Sequence, residues 1–309
     1  MEKESFVDCF CLWSDLLGFG RAFEEGGWSL TSEKVRNTAK RMSAIEKLLF
    51  RSNAPTQEYV LLLNDGVARN FDCPHPKSGY LSGVLHWLQS TLTNHWQINA
   101  HEQQNGNPGM RSVLCTGQRM NIREATRTSL SQVIAPQPIA EFLARDISVY
   151  SPRQFQMNLA FSKAYLLESL GSKIGLGGPN FFIEDQFLSA LVKICESEDI
   201  FIRGDKLVYR TSTIKSDGRE TFLIQGEVAG NVVIRLAIEL DEKEIQVNHR
   251  GIVTKLFRVA RFQPMDENDN FWFDFCNYEF EPPPRPVAAT ATPNPTLNPA
   301  LKRSPLPPR

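Results

Sequence analysis

The chain has 309 residues, of which 41% are apolar, enough for one large domain or two modest ones with a packed core. The formal net charge of −1 gives no field for non-specific nucleic-acid binding, so we expect no nucleic-acid partner. No long apolar run and no signal-peptide hydrophobic region is present, which predicts a cytoplasmic protein without a membrane span. The six cysteines and five histidines show no zinc-site spacing, and no disulfide is expected in a reducing compartment.

Two aspartates, Asp15 and Asp65, each follow a short apolar run and precede a glycine. The runs are Phe10–Trp13 and Tyr59–Leu63, and both predict strands of a sheet interior. An unpaired carboxylate there is costly, and a divalent cation removes that cost. If the strands are neighbours, the carboxylates can share Mg²⁺ or Mn²⁺, while free amides around Gly18 accept phosphate oxygens. The pattern predicts a nucleoside triphosphate site without a Walker motif.

A purely structural interpretation of both aspartates stays open. Asn64, Asp65 and Gly66 form a common hairpin-turn sequence, and Asp15 can cap the segment after it. The occurrence of the pair, followed by a third short strand from Met110 to Gly117, favours the functional interpretation.

Three helices are predicted between the strands. Their approximate bounds are Thr31 to Phe50, Leu81 to Trp96 and Phe155 to Leu170, with Gly171 as a left-handed cap of the last. Strands that alternate with helices in this way predict an α/β (α+β) fold with helices packed against a sheet.

From residue 199 to 281 the sequence changes to strands separated by turns. This β-rich extension either completes the domain as an appended sheet or forms a small regulatory module. Residues 265–270 are acidic but lack the glycine and glutamate of a calcium loop, which favours a solvated loop. The proline-rich segment from Pro282 to Arg309 has no apolar periodicity and predicts a disordered tail.

Taken in order, these segments resemble the class III nucleotidyl cyclases, the superfamily of adenylate and guanylate cyclases. The family's Asp-x-x-Gly-Phe element matches Asp15 to Phe19, and its metal-binding hairpin matches Asn64 to Gly66. Its later strand and helix match Arg111 to Gly117 and Ala164 to Glu168. The resemblance covers roughly residues 6 to 196. It implies a ferredoxin-like βαββαβ catalytic core in residues 1–198, before the extension and the tail.

The resemblance also implies a chemistry and a set of site residues. The reaction is intramolecular phosphoryl transfer that makes a 3′,5′-cyclic nucleotide and pyrophosphate, which is a phosphorus–oxygen lyase activity. Two Mn²⁺ or Mg²⁺ ions are held by Asp15, Asp65 and the backbone carbonyl of Leu16. Amides of the following turn hold the β and γ phosphates, and the active sites are composite sites of a homodimer. The residues of that turn are Leu17, Gly18, Phe19 and Gly20.

The sequence departs from the purine cyclases at two places: the residue that recognises the nucleotide base, and the polar residues of the late helix. Leu61 stands where those enzymes carry a charged purine reader. They carry an arginine four residues after the late-helix asparagine, whereas Asn158 is followed at that spacing by Ser162 and then by Lys163. Lys163 or Arg111 is then the candidate catalytic cation. In these respects the chain resembles the bacterial pyrimidine cyclases of anti-phage defence, which make cyclic UMP or cyclic CMP for a separate effector. The alternatives are a degenerate homologue that binds nucleotide or regulates as a dimer, and an unrelated scaffold with coincidental Asp-Gly turns.

Overall fold

The structure is a computed structural model that describes residues 6–49, 58–73, 80–120, 152, 154–197, 200–202, 205–216, 218–264, 272–278 and 280–281. The predicted tail from Pro282 to Arg309 and the predicted loop at 265–270 lie outside these residues. Five α-helices are described: α1 Phe19–Glu25, α2 Glu33–Leu49, α3 Tyr80–Gln104, α4 Leu159–Leu170 and α5 Asp185–Ser197.

Thirteen described strands form one sheet. They are β1 Phe6–Leu16, β2 Glu58–Leu63, β3 Gly66–Cys73, β4 Met110–Met120, β5 Phe181–Glu184, β6 Ile200–Ile202, β7 Asp205–Ser216, β8 Arg219–Val228, β9 Asn231–Asp241, β10 Ile245–His249, β11 Ile252–Gln263, β12 Trp272–Asp274 and β13 Phe280–Glu281.

The N-terminal strands lie in the order β2-β3-β1-β4-β5. Strand β1 is central and runs antiparallel to both β3 and β4, whereas β4 and β5 are parallel. The chain order β1, helices, β2, β3, α3, β4 with the spatial order β2-β3-β1-β4 is the ferredoxin-like arrangement. The α+β fold class predicted from the sequence is therefore confirmed.

The two faces of β1 pack against different helices because successive side chains point to opposite faces of a sheet. Phe10 and Leu12 belong to a core cluster with α3 and α5. Cys9, Cys11 and Trp13 belong to a second cluster on the other face, under α4. The ends of β1 and β3 pack against α1 and α2 in a third cluster. Both faces of the strand that carries Asp15 are therefore packed in the core.

The predicted helices are present, with corrected ends. Helix α2 closely follows the predicted span, and α3 continues past Trp96 to Gln104. Helix α4 begins at Leu159 instead of Phe155, because the Asn158 side chain accepts the Phe161 amide as an N-cap at 2.9 Å. Gly171 has φ 50° and ψ −132°, so it ends the helix with a positive φ but not in the left-handed helical conformation.

The C-terminal strands continue the same sheet. Strand β11 was not predicted, yet it pairs with β5 at Leu256↔Glu184 and with β9 at Val259↔Leu240. Strands β9, β8, β7 and β6 follow in that order. The sheet is therefore continuous across the predicted boundary at residue 198, and the division into domains there stays a prediction. Among the described helices, none is both long and apolar enough to cross a membrane.

Candidate active site

The strand pairing brings Asp15 and Asp65 to the same end of the sheet. Asp15 lies opposite Gly66 of β3, and Asp65 sits in the two-residue turn between Leu63 and Gly66. The Leu16 amide donates a hydrogen bond to the Asp65 carbonyl at 3.0 Å, which joins the hairpin to the end of β1. The hairpin interpretation is therefore correct. The two apolar runs, in β1 and β2, are not neighbours as predicted, because β3 lies between them, and Asp65 reaches the end of β1 through the turn into β3. The alternative cap for Asp15 is wrong, because α1 begins after Gly18 and has no side-chain cap.

The electrostatics at Asp15 are those of a half-buried carboxylate among like charges. The pKa of Asp15 is raised to about 7, first by burial and then by the nearby carboxylates of Glu168 and Asp65, against the lowering effect of Arg111 and Arg41. Desolvation and repulsion both disfavour the charged form. A cation bound there would favour it instead.

These residues fit a hard divalent cation only as a partial ligand set. Carboxylate and carbonyl oxygens are the ligands that Mg²⁺ and Mn²⁺ prefer, and Asp15, Asp65 and the Leu16 carbonyl supply that type. In the described part of the chain, no three His, Cys, Asp or Glu side chains converge into a metal cluster. Mg²⁺ commonly keeps several waters and completes its shell with substrate phosphates, so two carboxylates suffice for that mode of binding.

The turn after Asp15 requires a glycine, and its first amide, that of Leu17, donates to the Gly109 carbonyl at 2.9 Å. Gly18 has φ 73°, and an added Cβ there would lie 3.1 Å from Pro108, so this position requires glycine on both counts. Leu17 is half-buried, Gly20 is exposed, and the Phe19 side chain is buried in the core. Gly18 also opens onto a cleft of about 820 Å³ between α1, α2 and the end of α3.

Arg41 of α2 holds this turn, and the sequence analysis missed it. Its guanidinium donates to the Leu17 carbonyl at 3.2 Å and to Glu102 of α3 at 2.6 Å. Glu102 is fully buried, so the ion pair is shielded from water. The pairing partners lie 61 residues apart, and no local pattern links them.

The two candidate catalytic cations are engaged within the chain. Arg111 forms an ion pair with Glu168 and donates to the Leu176 carbonyl at 2.9 Å. Lys163 pairs with the fully buried Glu184 at 2.6 Å. Both side chains are therefore positioned by structural contacts, and their catalytic roles stay predictions.

Asn158 is buried and used by the fold. Besides capping α4, its amide nitrogen donates to Asn70 at 2.8 Å and to the Gln154 carbonyl at 2.9 Å. Only 1% of its surface is exposed. The predicted nucleotide contact of Asn158 stays a prediction, and the described contacts give it a structural role.

Leu61 lies in an apolar row across the sheet. It faces Ala68 of β3, which in turn faces Trp13 of β1. Leu61 is buried in the same cluster as these two residues, with no charged group in that row. All three residues of the row are buried, so the predicted contact of Leu61 with a base stays a prediction.

No protein-family model and no curated protein matches this chain. Among solved structures it is similar to the adenylyl cyclase CyaB from P. aeruginosa, with 12% identity, a TM-score of 0.41 and coverage of 83% of this chain and 95% of that one. It is similar to the guanylyl cyclase Cya2 with 13% identity, a TM-score of 0.38 and coverage of 86% and 97%. It is also similar to the guanylate cyclase domain of RhGC from Catenaria anguillulae in complex with GTP, with 10% identity, a TM-score of 0.38 and coverage of 85% and 100%. All three TM-scores lie below 0.5, so the proposals below rest on the geometry of this chain and on its sequence motifs.

Proposed function

We propose that the protein is a metal-dependent nucleotidyl cyclase that converts a nucleoside triphosphate into a 3′,5′-cyclic nucleotide and pyrophosphate. The observation that carries this proposal is the placement of Asp15 and Asp65 on adjacent strand ends, joined by the hydrogen bond from the Leu16 amide to the Asp65 carbonyl. The ordered motifs that resemble class III cyclases support the same activity.

In this proposal, different residues of the site bind the metal, bind the phosphates and position the turn. Asp15 and Asp65 would hold Mg²⁺ or Mn²⁺, which when bound acidifies the ribose 3′-hydroxyl and screens the phosphates. Amides from Gly18 to Gly20 would orient the β and γ phosphates, so that the α-phosphate faces the hydroxyl. The Leu17 amide is not free for this role, because it donates to the Gly109 carbonyl at 2.9 Å. The 3′-hydroxyl releases its proton to water, its oxygen forms the new bond to the α-phosphorus, and the bond from that phosphorus to the bridging oxygen breaks, so that pyrophosphate leaves. Arg41 fixes the turn by holding the Leu17 carbonyl.

The proposed substrate is a pyrimidine nucleotide, UTP or CTP. Leu61 stands where purine cyclases carry a charged reader, and the buried row of Leu61, Ala68 and Trp13 contains no charged group. A site that hydrogen-bonds a base rejects the wrong one more strongly than an apolar wall does, so selection here would depend on size. In this proposal the cyclic product acts on a separate effector, as in the bacterial anti-phage systems that the sequence resembles.

The test is incubation of the purified protein with each of the four nucleoside triphosphates and Mn²⁺, followed by mass analysis of the products. We expect a cyclic pyrimidine nucleotide and pyrophosphate in equal amounts, with Asp15→Asn as the inactive control. Equal or faster conversion of ATP would remove the pyrimidine assignment and keep the cyclase. No cyclic product from any nucleotide would contradict the proposed activity.

A second candidate function is nucleotide binding without turnover. It is favoured by one specific observation: Arg111, Lys163 and Asn158 are all engaged in contacts within the chain. Bound intact triphosphate recovered from the same incubation, without cyclic product, would support this candidate.

A further inference from the structure

Two neighbouring rows of side chains cross the sheet face under α4. One row contains Leu61, Ala68 and Trp13, and the next contains Leu63, Gly66 and Asp15. The central strand β3 thus contributes the smallest side chains, alanine and glycine. They leave a depression in the sheet face beside the hairpin that carries Asp65.

The Trp13 ring fills that depression and touches the hairpin. A Cβ added at Gly66 would lie 2.3 Å from Cη2 and 2.5 Å from Cζ2 of Trp13. Gly66 does not have a positive φ, so glycine is needed there for space and not for backbone conformation. The distal ring of Trp13 therefore packs directly on the first residue of β3.

Helix α4 holds the Trp13 ring in place from above. Phe161 and Tyr165 make edge contacts with it, with ring centroids 5.7 Å and 5.2 Å away. Only 5% of Trp13 is exposed. The ring is thus wedged between α4 and Gly66.

The choice of tryptophan at this position costs stability. Among the described residues its Nε1 is a buried donor without a hydrogen-bond partner. Such a group lowers stability, because it loses its hydrogen bond to water and gains no partner in the fold. Phenylalanine would avoid that cost, but it lacks the distal ring atoms Cζ2 and Cη2 that reach Gly66. The contact with the hairpin is what tryptophan adds.

We propose that Trp13 is a positioning residue for the Asp15–Asp65 pair. Its distal ring packs on Gly66 and thereby fixes the position of the Asp65 hairpin relative to the end of β1, which we call the seating of the hairpin. The metal-binding consequence rests on the proposed function, but the seating of the hairpin does not. The Leu16 amide reports that seating, because it donates to the Asp65 carbonyl.

The test compares Trp13→Phe, Gly66→Ala and the double variant by hydrogen exchange and by Mn²⁺ titration. The readouts are exchange at the Leu16 amide, relative to the Leu12 amide in the middle of β1, and the Mn²⁺ dissociation constant. In each single variant we expect Leu16 exchange to accelerate and Mn²⁺ affinity to fall, both by about tenfold, as for other changes in groups that support metal ligands. In the double variant the added Cβ meets no distal ring, so both readouts return toward wild type.

Trp87→Phe is the control for a shortened indole in the core, because Trp87 is buried in the cluster on the opposite face. Its Nε1 donates to Glu58, which lies at the end of β2 away from the Asp65 hairpin. We expect its relative Leu16 exchange to equal that of wild type. Unchanged Leu16 exchange in Trp13→Phe, or no recovery in the double variant, would overturn the inference. If wild type binds no Mn²⁺ while Leu16 exchange responds as expected, the positioning role stands and the metal site of the proposed function falls.

Discussion

At the scale of single residues, the aspartate pair gives the first prediction. Asp15→Asn and Asp65→Asn should each lower metal-dependent turnover by at least about 100-fold, more than changes in supporting groups do. The fold should persist, because burial and the neighbouring carboxylates already disfavour the charged form of Asp15. Initial rates with Mn²⁺ and thermal melting of each variant check both parts. A variant that keeps a substantial rate would show that its aspartate is not a metal ligand.

His95 gives a pH-dependent prediction of stability. It is fully buried, its Nδ1 lies 2.8 Å from the Ser112 hydroxyl, and its Nε2 lies 3.0 Å from the Asn99 amide nitrogen. The Asn99 oxygen accepts the Met110 amide, so its nitrogen must donate to Nε2, and the ring is neutral with the proton on Nδ1. Burial lowers the pKa of His95 to about 3.

Since the unfolded chain binds a proton at His95 near pH 6.5 and the folded chain does not, stability must fall as the pH drops from about 6.5 toward 3. The loss attributable to this residue between pH 7 and pH 5 is about 2 kcal/mol. Urea unfolding at both pH values should show a smaller loss in His95→Gln than in wild type. An NMR titration in which the His95 ring becomes charged above pH 5 would contradict the assignment.

At the scale of elements, α4 and β4 are in close contact at Gly117. A Cβ added there would lie 2.7 Å from the backbone nitrogen of Ala160. Gly117→Ala should therefore separate the helix from the strand and cost about 1–3 kcal/mol of the free energy of unfolding. Gly20→Ala is the matched control, because nothing lies within 4 Å of its added Cβ. Urea unfolding of both variants tests this prediction. An equal change in the free energy of unfolding would mean that α4 and β4 can move apart at little cost.

The elements also show what the sequence can and cannot predict. The periodicity of α2 and the apolar run that ends before Asp15 are local signals, and the structure confirms both. The pairing of β11 with β5 and the Arg41–Glu102 ion pair join distant segments, and no local pattern carries them. Trp13 appeared as an ordinary strand residue because its contact with Gly66 exists only once β1 and β3 are paired.

At the scale of the whole molecule, exposed apolar side chains gather on the α4 side of the sheet. Leu159 and Tyr165 of α4 are 63% and 47% exposed, and Leu63 of β2 is 49% exposed. Leu63 shares its face with Leu61 by the alternation of the strand, so it points toward the α4 side. Burying such side chains against a second copy would stabilise a dimer. We therefore predict that the chain forms a homodimer and that this surface is its contact.

The corresponding prediction concerns the oligomeric state. Light scattering after gel filtration should give about twice the chain mass of 35.0 kDa for wild type. The double variant Leu63→Glu/Leu159→Glu should give a monomer, because two unpaired charges would be buried in the interface. Val253→Glu is the control, since Val253 is 67% exposed on β11, outside the proposed contact. With composite sites, the monomeric variant should also lose turnover and regain part of it at high protein concentration. A wild-type monomer with full turnover would overturn both the dimer and its shared active sites.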